Sequence, residues 1–225
     1  SQIVLLDSDF STLPLLVQEG RRVVNNATRV AGVFFIKTIY SVLLSIICIG
    51  MNLPFPFIPV QITLIDLAIE AFPSFLTMLE PDHKKVSGDF LTTVLRNALP
   101  NAIAIVFSFL SIEYMREGFS IRYEEAVTMM YLCVSVISML SVYRSLRPWN
   151  RLRALVCLCM TAGFVLAIVL FHNLLHITML SYRLGILSVI LIMSAILLRQ
   201  ILILLLPLIP ALRPEKRKSR QHSLS

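Results

Sequence analysis

The stretch PFIPVQITLIDLAIEAFPSFLTMLEPD, residues 56–82, places two carboxylates, Asp66 and Glu70, inside a run of about twenty-five otherwise uncharged and mostly apolar residues. A helix needs roughly twenty such residues to cross about 30 Å of hydrocarbon. Runs of this kind recur along the chain and predict six spans, at about 30–51, 54–79, 91–114, 125–143, 154–172 and 184–206. With 57% hydrophobic residues, 15% charged ones and a mean hydropathy of +0.82, the chain reads as an all-α polytopic membrane protein and not as a soluble domain.

The formal net charge of +7 suggests nucleic acid only until the charges are placed. Fifteen of the twenty Lys and Arg residues fall before span one, after span two (Arg96, in the opening turns of span three, included), between four and five, and in the tail. Three, Arg116, Arg122 and Arg183, fall in the opposite loops, while Lys37 and Arg199 lie inside spans. The positive-inside rule therefore predicts a multi-pass protein of the cell membrane with both termini cytoplasmic and lipids, not nucleic acid, as its surroundings. An even number of crossings agrees. Asp7, Asp9, Glu19, Arg21 and Arg22 rule out a secretory signal in the first twenty-nine residues, and Ser1 in place of Met predicts that residue 1 is not a native start. All four cysteines lie in apolar runs and act there as small hydrophobes.

Two carboxylates at mid-membrane cost on the order of 5–7 kcal/mol to insert, so something must offset them. Four residues apart on an α-helix, Asp66 and Glu70 share a face about 6 Å apart along the axis, and a cation between them relieves their repulsion. Pro59 and Pro73 bracket the pair, and a proline inside a helix frees a carbonyl. With Gln61 and Thr63 on the same span, this predicts an oxygen-lined site for a hard cation. Two other readings stay open: Lys37 locks two helices together through one acid, or one acid is protonated and hydrogen-bonded.

Residues 56–82 resemble the sixth transmembrane helix of P-type cation-transporting ATPases, calcium-pump-like and of bacterial type, in which a Pro-Val-Gln start, two ion-binding positions four apart, a following proline and a closing Pro-Asp recur. Upstream, IVLLDSDFSTLPLLVQEGRRVVNN, residues 3–26, is similar to that family's exit from the phosphorylation domain, a β-strand leading into the stalk of the fifth helix. The resemblance implies helices five to ten of a ten-helix pump. Residues 1–29 would then be the phosphorylation-domain exit and stalk, 30–212 the six-helix domain and 213–225 a basic cytoplasmic tail. It implies a transported cation held by Asp66 and Glu70, Ca²⁺ first and Mg²⁺ or Mn²⁺ next.

Matching without gaps puts Thr38 and Ser41 where calcium pumps carry ligating Asn and Glu, and TMMYLCVSVISM, residues 128–139, puts Ser138 at another Glu, so that one ion is expected instead of two. Lys37 falls where proton-exporting relatives carry a built-in cation; a lysine snorkelling to the interface is the other reading. The DKTGT phosphorylation motif is absent from these residues. ATP and Mg²⁺ would act on the missing amino-terminal half of the pump, in the same or a separate chain, and this chain alone is not expected to hydrolyse ATP. A secondary transporter or channel-like subunit without ATP chemistry, or an inactive remnant, are the alternatives.

Smaller signals are structural. His172 and His176 read as interfacial, Cys157 and Cys159 as packing residues, Pro100 and Asn101 as a kink in span three, and Arg199 as an anchor snorkelling to the cytoplasmic face.

Overall fold

The computed structural model of the chain describes residues 13–78, 80 and 90–208, and among these all regular structure is helical. Among the described residues six helices are long and apolar enough to cross a membrane: α1 (Leu13–Met51), α2 (Pro59–Met78), α3 (Phe90–Phe119), α4 (Tyr123–Ser145), α5 (Arg151–Phe171) and α6 (Tyr182–Leu205). Each predicted span falls on one of them. The predicted strand at residues 3–6, Lys84, Lys85 and the tail at 213–225 lie outside the described residues.

α1 has 39 residues, about 58 Å of helix, so it reaches well beyond one hydrocarbon thickness. Its first eight residues are exposed, whereas Val33, Ile36, Tyr40, Leu44 and Cys48 recur every three or four positions and are buried. The end of the bundle from which α1 projects is called proximal here, the other distal. Between apolar helices in lipid, close packing replaces the hydrophobic drive, and small residues permit it. α3 supplies them at Ala98, Ala102, Ala104 and Ser108, all fully buried, and packs on α1, α4 and α6. α4 is buried around its circumference, with Met129, Met130, Tyr131, Cys133 and Val134 all enclosed. α5 and α6 keep broad apolar faces outward, as lipid-facing helices do.

The three helices that run towards the distal end stop in one way. Asn52, Ser120 and His176 adopt φ of 53°, 52° and 49°, and the next residue's N–H donates five residues back: Leu53 to Cys48 at 2.8 Å, Ile121 to Arg116 at 3.2 Å, Ile177 to His172 at 2.9 Å. This left-handed cap reverses the chain and satisfies carbonyls that the helix end leaves open. His176 is thus a capping residue.

Two expectations need correction. Pro59 is the first residue of α2, where its missing N–H costs nothing, so only Pro73 interrupts the helix; residues 52–58 form the connection and span two begins later than 54. Arg199 does not snorkel: it is 3% exposed and its Nε donates to Asn101 Oδ1 across 2.6 Å, inside the bundle.

At the proximal end Glu80 clamps three helices. Its carboxylate accepts from Asn150 Nδ2 at 2.6 Å and from Arg153 Nε at 2.5 Å, while Asn26 Nδ2 donates to Met78 O at 2.7 Å and Arg29 Nη2 to Thr77 O at 3.0 Å. Burial pushes the Glu80 carboxyl up, but the hydrogen bonds from Asn150 and Arg153 and the nearby guanidinium charges outweigh it and hold the group below its ordinary 4.5. A depressed folded value stabilises fully above the unfolded one and is lost as pH falls through the folded one. Glu80→Gln should therefore lower stability by about 1.5–3 kcal/mol at pH 7, the range for hydrogen bonds to a charged group. In thermal unfolding of the detergent-solubilised protein, the gap between wild type and variant should close on acidification below pH 4.5; a gap independent of pH would contradict the clamp.

Candidate ion site

α2 is not an α-helix throughout. Residues Ile65–Ala71 form a π-helical segment, in which Phe72 N–H donates five residues back to Leu67 O. Pro73 explains it: the ring would strike the carbonyl four residues back, and widening the turn relieves that clash. In the same register Ala68 O meets Pro73, which has no N–H to give.

Asp66 and Glu70 both sit on this wide turn, about 10 and 16 Å from the distal start of α2 and so near the middle of the span. Their surroundings differ. Lys37 Nζ of α1 donates to Asp66 Oδ2 at 2.5 Å, with side chains 32% and 24% exposed. The lysine is therefore turned inward onto the acid and is not snorkelling. Glu70 is 1% exposed and makes no ion pair among the described residues. Asp66 Oδ1 and Glu70 Oε2 are both buried without a hydrogen-bond partner, an arrangement that costs free energy unless something satisfies it.

The other candidate residues separate. Ser138, on the helix against which the π segment packs, is buried and its Oγ has no partner. Ser41, one turn beyond Lys37, is half-buried. Thr38 and Thr63 are exposed, and the Thr63 hydroxyl donates to Pro59 O at 2.9 Å. Gln61 is buried at the distal end, where Oε1 accepts from Ile58 N at 3.2 Å and Nε2 donates to Leu175 O at 2.8 Å; it holds α2 to the turn after α5. Tyr131, two turns before Ser138 on the same helix, also buries its hydroxyl without a partner, and its ring lies beside Phe164 of α5, centroids 6.2 Å apart.

Carboxylate and hydroxyl oxygens suit a hard cation. No group of three or more His, Cys, Asp or Glu among the described residues gathers as a metal site. Two carboxylates would thus be joined by hydroxyl, carbonyl or water oxygens to complete the roughly six to eight that Ca²⁺ takes. A double-mutant cycle checks the ion pair: Lys37→Met alone strands the partly exposed Asp66 and should destabilise by about 1–3 kcal/mol, and Asp66→Asn in the same chain should recover most of it. Additive losses would mean the two side chains do not interact.

No family model matches the chain. It is 40% identical over 173 residues to the probable cation-transporting ATPase exp7 of Streptococcus pneumoniae, covering 73% of this chain and 22% of that protein. It is 32% identical over 181 residues to the calcium-transporting ATPase CtpE of Mycolicibacterium smegmatis, covering 74% of this chain and 23% of that protein, and 37% identical over 116 residues to CtpE of Mycobacterium bovis, covering 47% and 14%. The chain thus spans about a fifth of the length of the first two of these curated relatives. Six described helices long and apolar enough to cross a membrane and this likeness together place the chain in the P-type cation-transporting ATPases, as a part of them.

Proposed function

We propose that the chain is the carboxy-terminal membrane and ion-binding portion of an ATP-driven pump that moves Ca²⁺, one ion at a time, across the cell membrane, with both chain termini on the cytoplasmic side. The observation that carries this reading is the pair of buried carboxylate oxygens, Asp66 Oδ1 and Glu70 Oε2, left without partners on one π-helical turn at mid-span. Calcium is the ion named for two of the relatives. ATP and Mg²⁺ would be used by the part of the pump that lies outside this chain.

In this reading Lys37 and the cation compete for Asp66. When the ion leaves, the ammonium neutralises the acid that it vacates, so no bare carboxylate pays the insertion cost. Lys37 shares α1 with Asn26 and Arg29, which hold the proximal end of α2. A tilt or rotation of α1 therefore moves the lysine relative to Asp66 and exchanges access to the site between the two sides.

A second reading rests on the same ion pair: Lys37 and Asp66 only lock α1 to α2. The two differ in the full-length pump reconstituted into vesicles. If the site holds Ca²⁺, Asp66→Asn and Glu70→Gln should each raise the half-saturating Ca²⁺ for phosphorylation and uptake at least tenfold, about 1.4 kcal/mol. Lys37→Met should lower it, because the competing cation is gone. Unchanged half-saturation in both acid variants would leave the helix lock standing.

A further inference from the structure

Arg199 is the most deeply buried guanidinium among the described residues that lacks a carboxylate. Its Nε is held by Asn101, and Asn101 is itself fixed by donating Nδ2 to Asn97 O at 2.8 Å. Its Nη2 is buried with no partner. A charge in such a place needs a counter-charge. Among the described residues no acid provides it: Asp66, Glu80, Glu113 and Glu125 are paired with Lys37, Arg153, Arg116 and Arg122, and no described carboxylate, Glu70 included, acts on Arg199.

What lies near is more positive charge. Arg96 stands near the start of α3, Arg144 in the last turn of α4 and Arg147 just beyond it, at the end of the bundle where α3, α4 and α6 pack on one another, and Arg144 acts electrostatically on Arg199. Arg144 and Arg147 are exposed and Arg96 is half-buried, so the cluster opens at the proximal rim. Arg199 lies six residues, about 9 Å, inside the end of α6 and so forms its floor. Trp149 is half-exposed beside Tyr143, ring centroids 6.4 Å apart, and such aromatic pairs mark the headgroup level of a bilayer. The rim of the cluster is therefore at the depth of lipid phosphates.

We infer that the proximal rim between α3, α4 and α6 is a binding site for the phosphate of one anionic lipid headgroup, gripped by Arg96 and Arg144 with Arg199 beneath as the buried counter-charge. Paired guanidiniums suit a phosphate, with which they form bidentate hydrogen bonds. A lipid phosphate, unlike a free anion, arrives already at this depth and at high local concentration. The site is separate from Asp66 and Glu70, so it stands whichever ion the pump moves.

The test uses the full-length protein in nanodiscs of phosphatidylcholine containing phosphatidylglycerol, with native mass spectrometry counting the lipids that survive delipidation. Wild type should retain one phosphatidylglycerol, and the Arg96→Ala/Arg144→Ala double variant, altered only at the accessible rim, should retain it at least tenfold less. Arg199→Met should weaken retention too; if that variant does not fold, the rim variant still decides. Equal retention by wild type and rim variant would overturn the site. So would displacement of the lipid by millimolar inorganic phosphate alone, which would make the ligand a free anion. If no anion is retained and Glu215→Gln lowers the melting temperature of wild type but not of the rim variant, the counter-charge is the chain's own tail, and the lipid is excluded.

Discussion

The lysine–aspartate pair between α1 and α2 is the constraint around which the rest is arranged. An acid in hydrocarbon must be neutralised, and Lys37 does this for Asp66 at 2.5 Å. The pair fixes the rotation of α1 about its axis. Once Lys37 faces α2, the stripe of Val33, Ile36, Tyr40 and Leu44 is buried and α1 settles against α3. Along α1, Asn26 and Arg29 then reach the other end of α2, so one long helix grips its neighbour at mid-span and at the proximal rim.

Glu70 is the contrast. It shares the π turn with Asp66, yet among the described residues no lysine or arginine forms an ion pair with it, Lys37 acting on it only from beyond ion-pair distance, and α4 packs over the turn. The asymmetry matters for chemistry. In the proposed role, a site in which one carboxylate has a resident counter-ion and the other has no ion pair would be suited to take up a cation and to tolerate losing it. A pair of equally bare acids would hold an ion more tightly and release it less readily.

Much of the fold was legible because hydrocarbon thickness fixes the length of a span, and six runs of that length can hardly be misread. The carboxylate pair was legible for the same reason, since charge inside such a run stands out. Lys37 could be assigned either to Asp66 or to the interface, because a lysine stem reaches in both directions. The π turn was hidden: Pro73 announces a lost hydrogen bond but not whether the helix kinks or widens. Arg199 was misread because its partner, Asn101, lies 98 residues away, and nothing local to the last span distinguishes a buried arginine from a snorkelling one. The Glu80 clamp likewise joins residues seventy or more positions apart, and no short motif signals it.

The proposed ion site is tested most directly by a cryo-EM reconstruction of the full-length protein with saturating Ca²⁺. Density for one ion contacting both Asp66 and Glu70, with the Lys37 ammonium swung away from Asp66, is the result expected. Ion density elsewhere in the membrane region, with Lys37 still bound to Asp66, would contradict it and leave the pair as a structural lock.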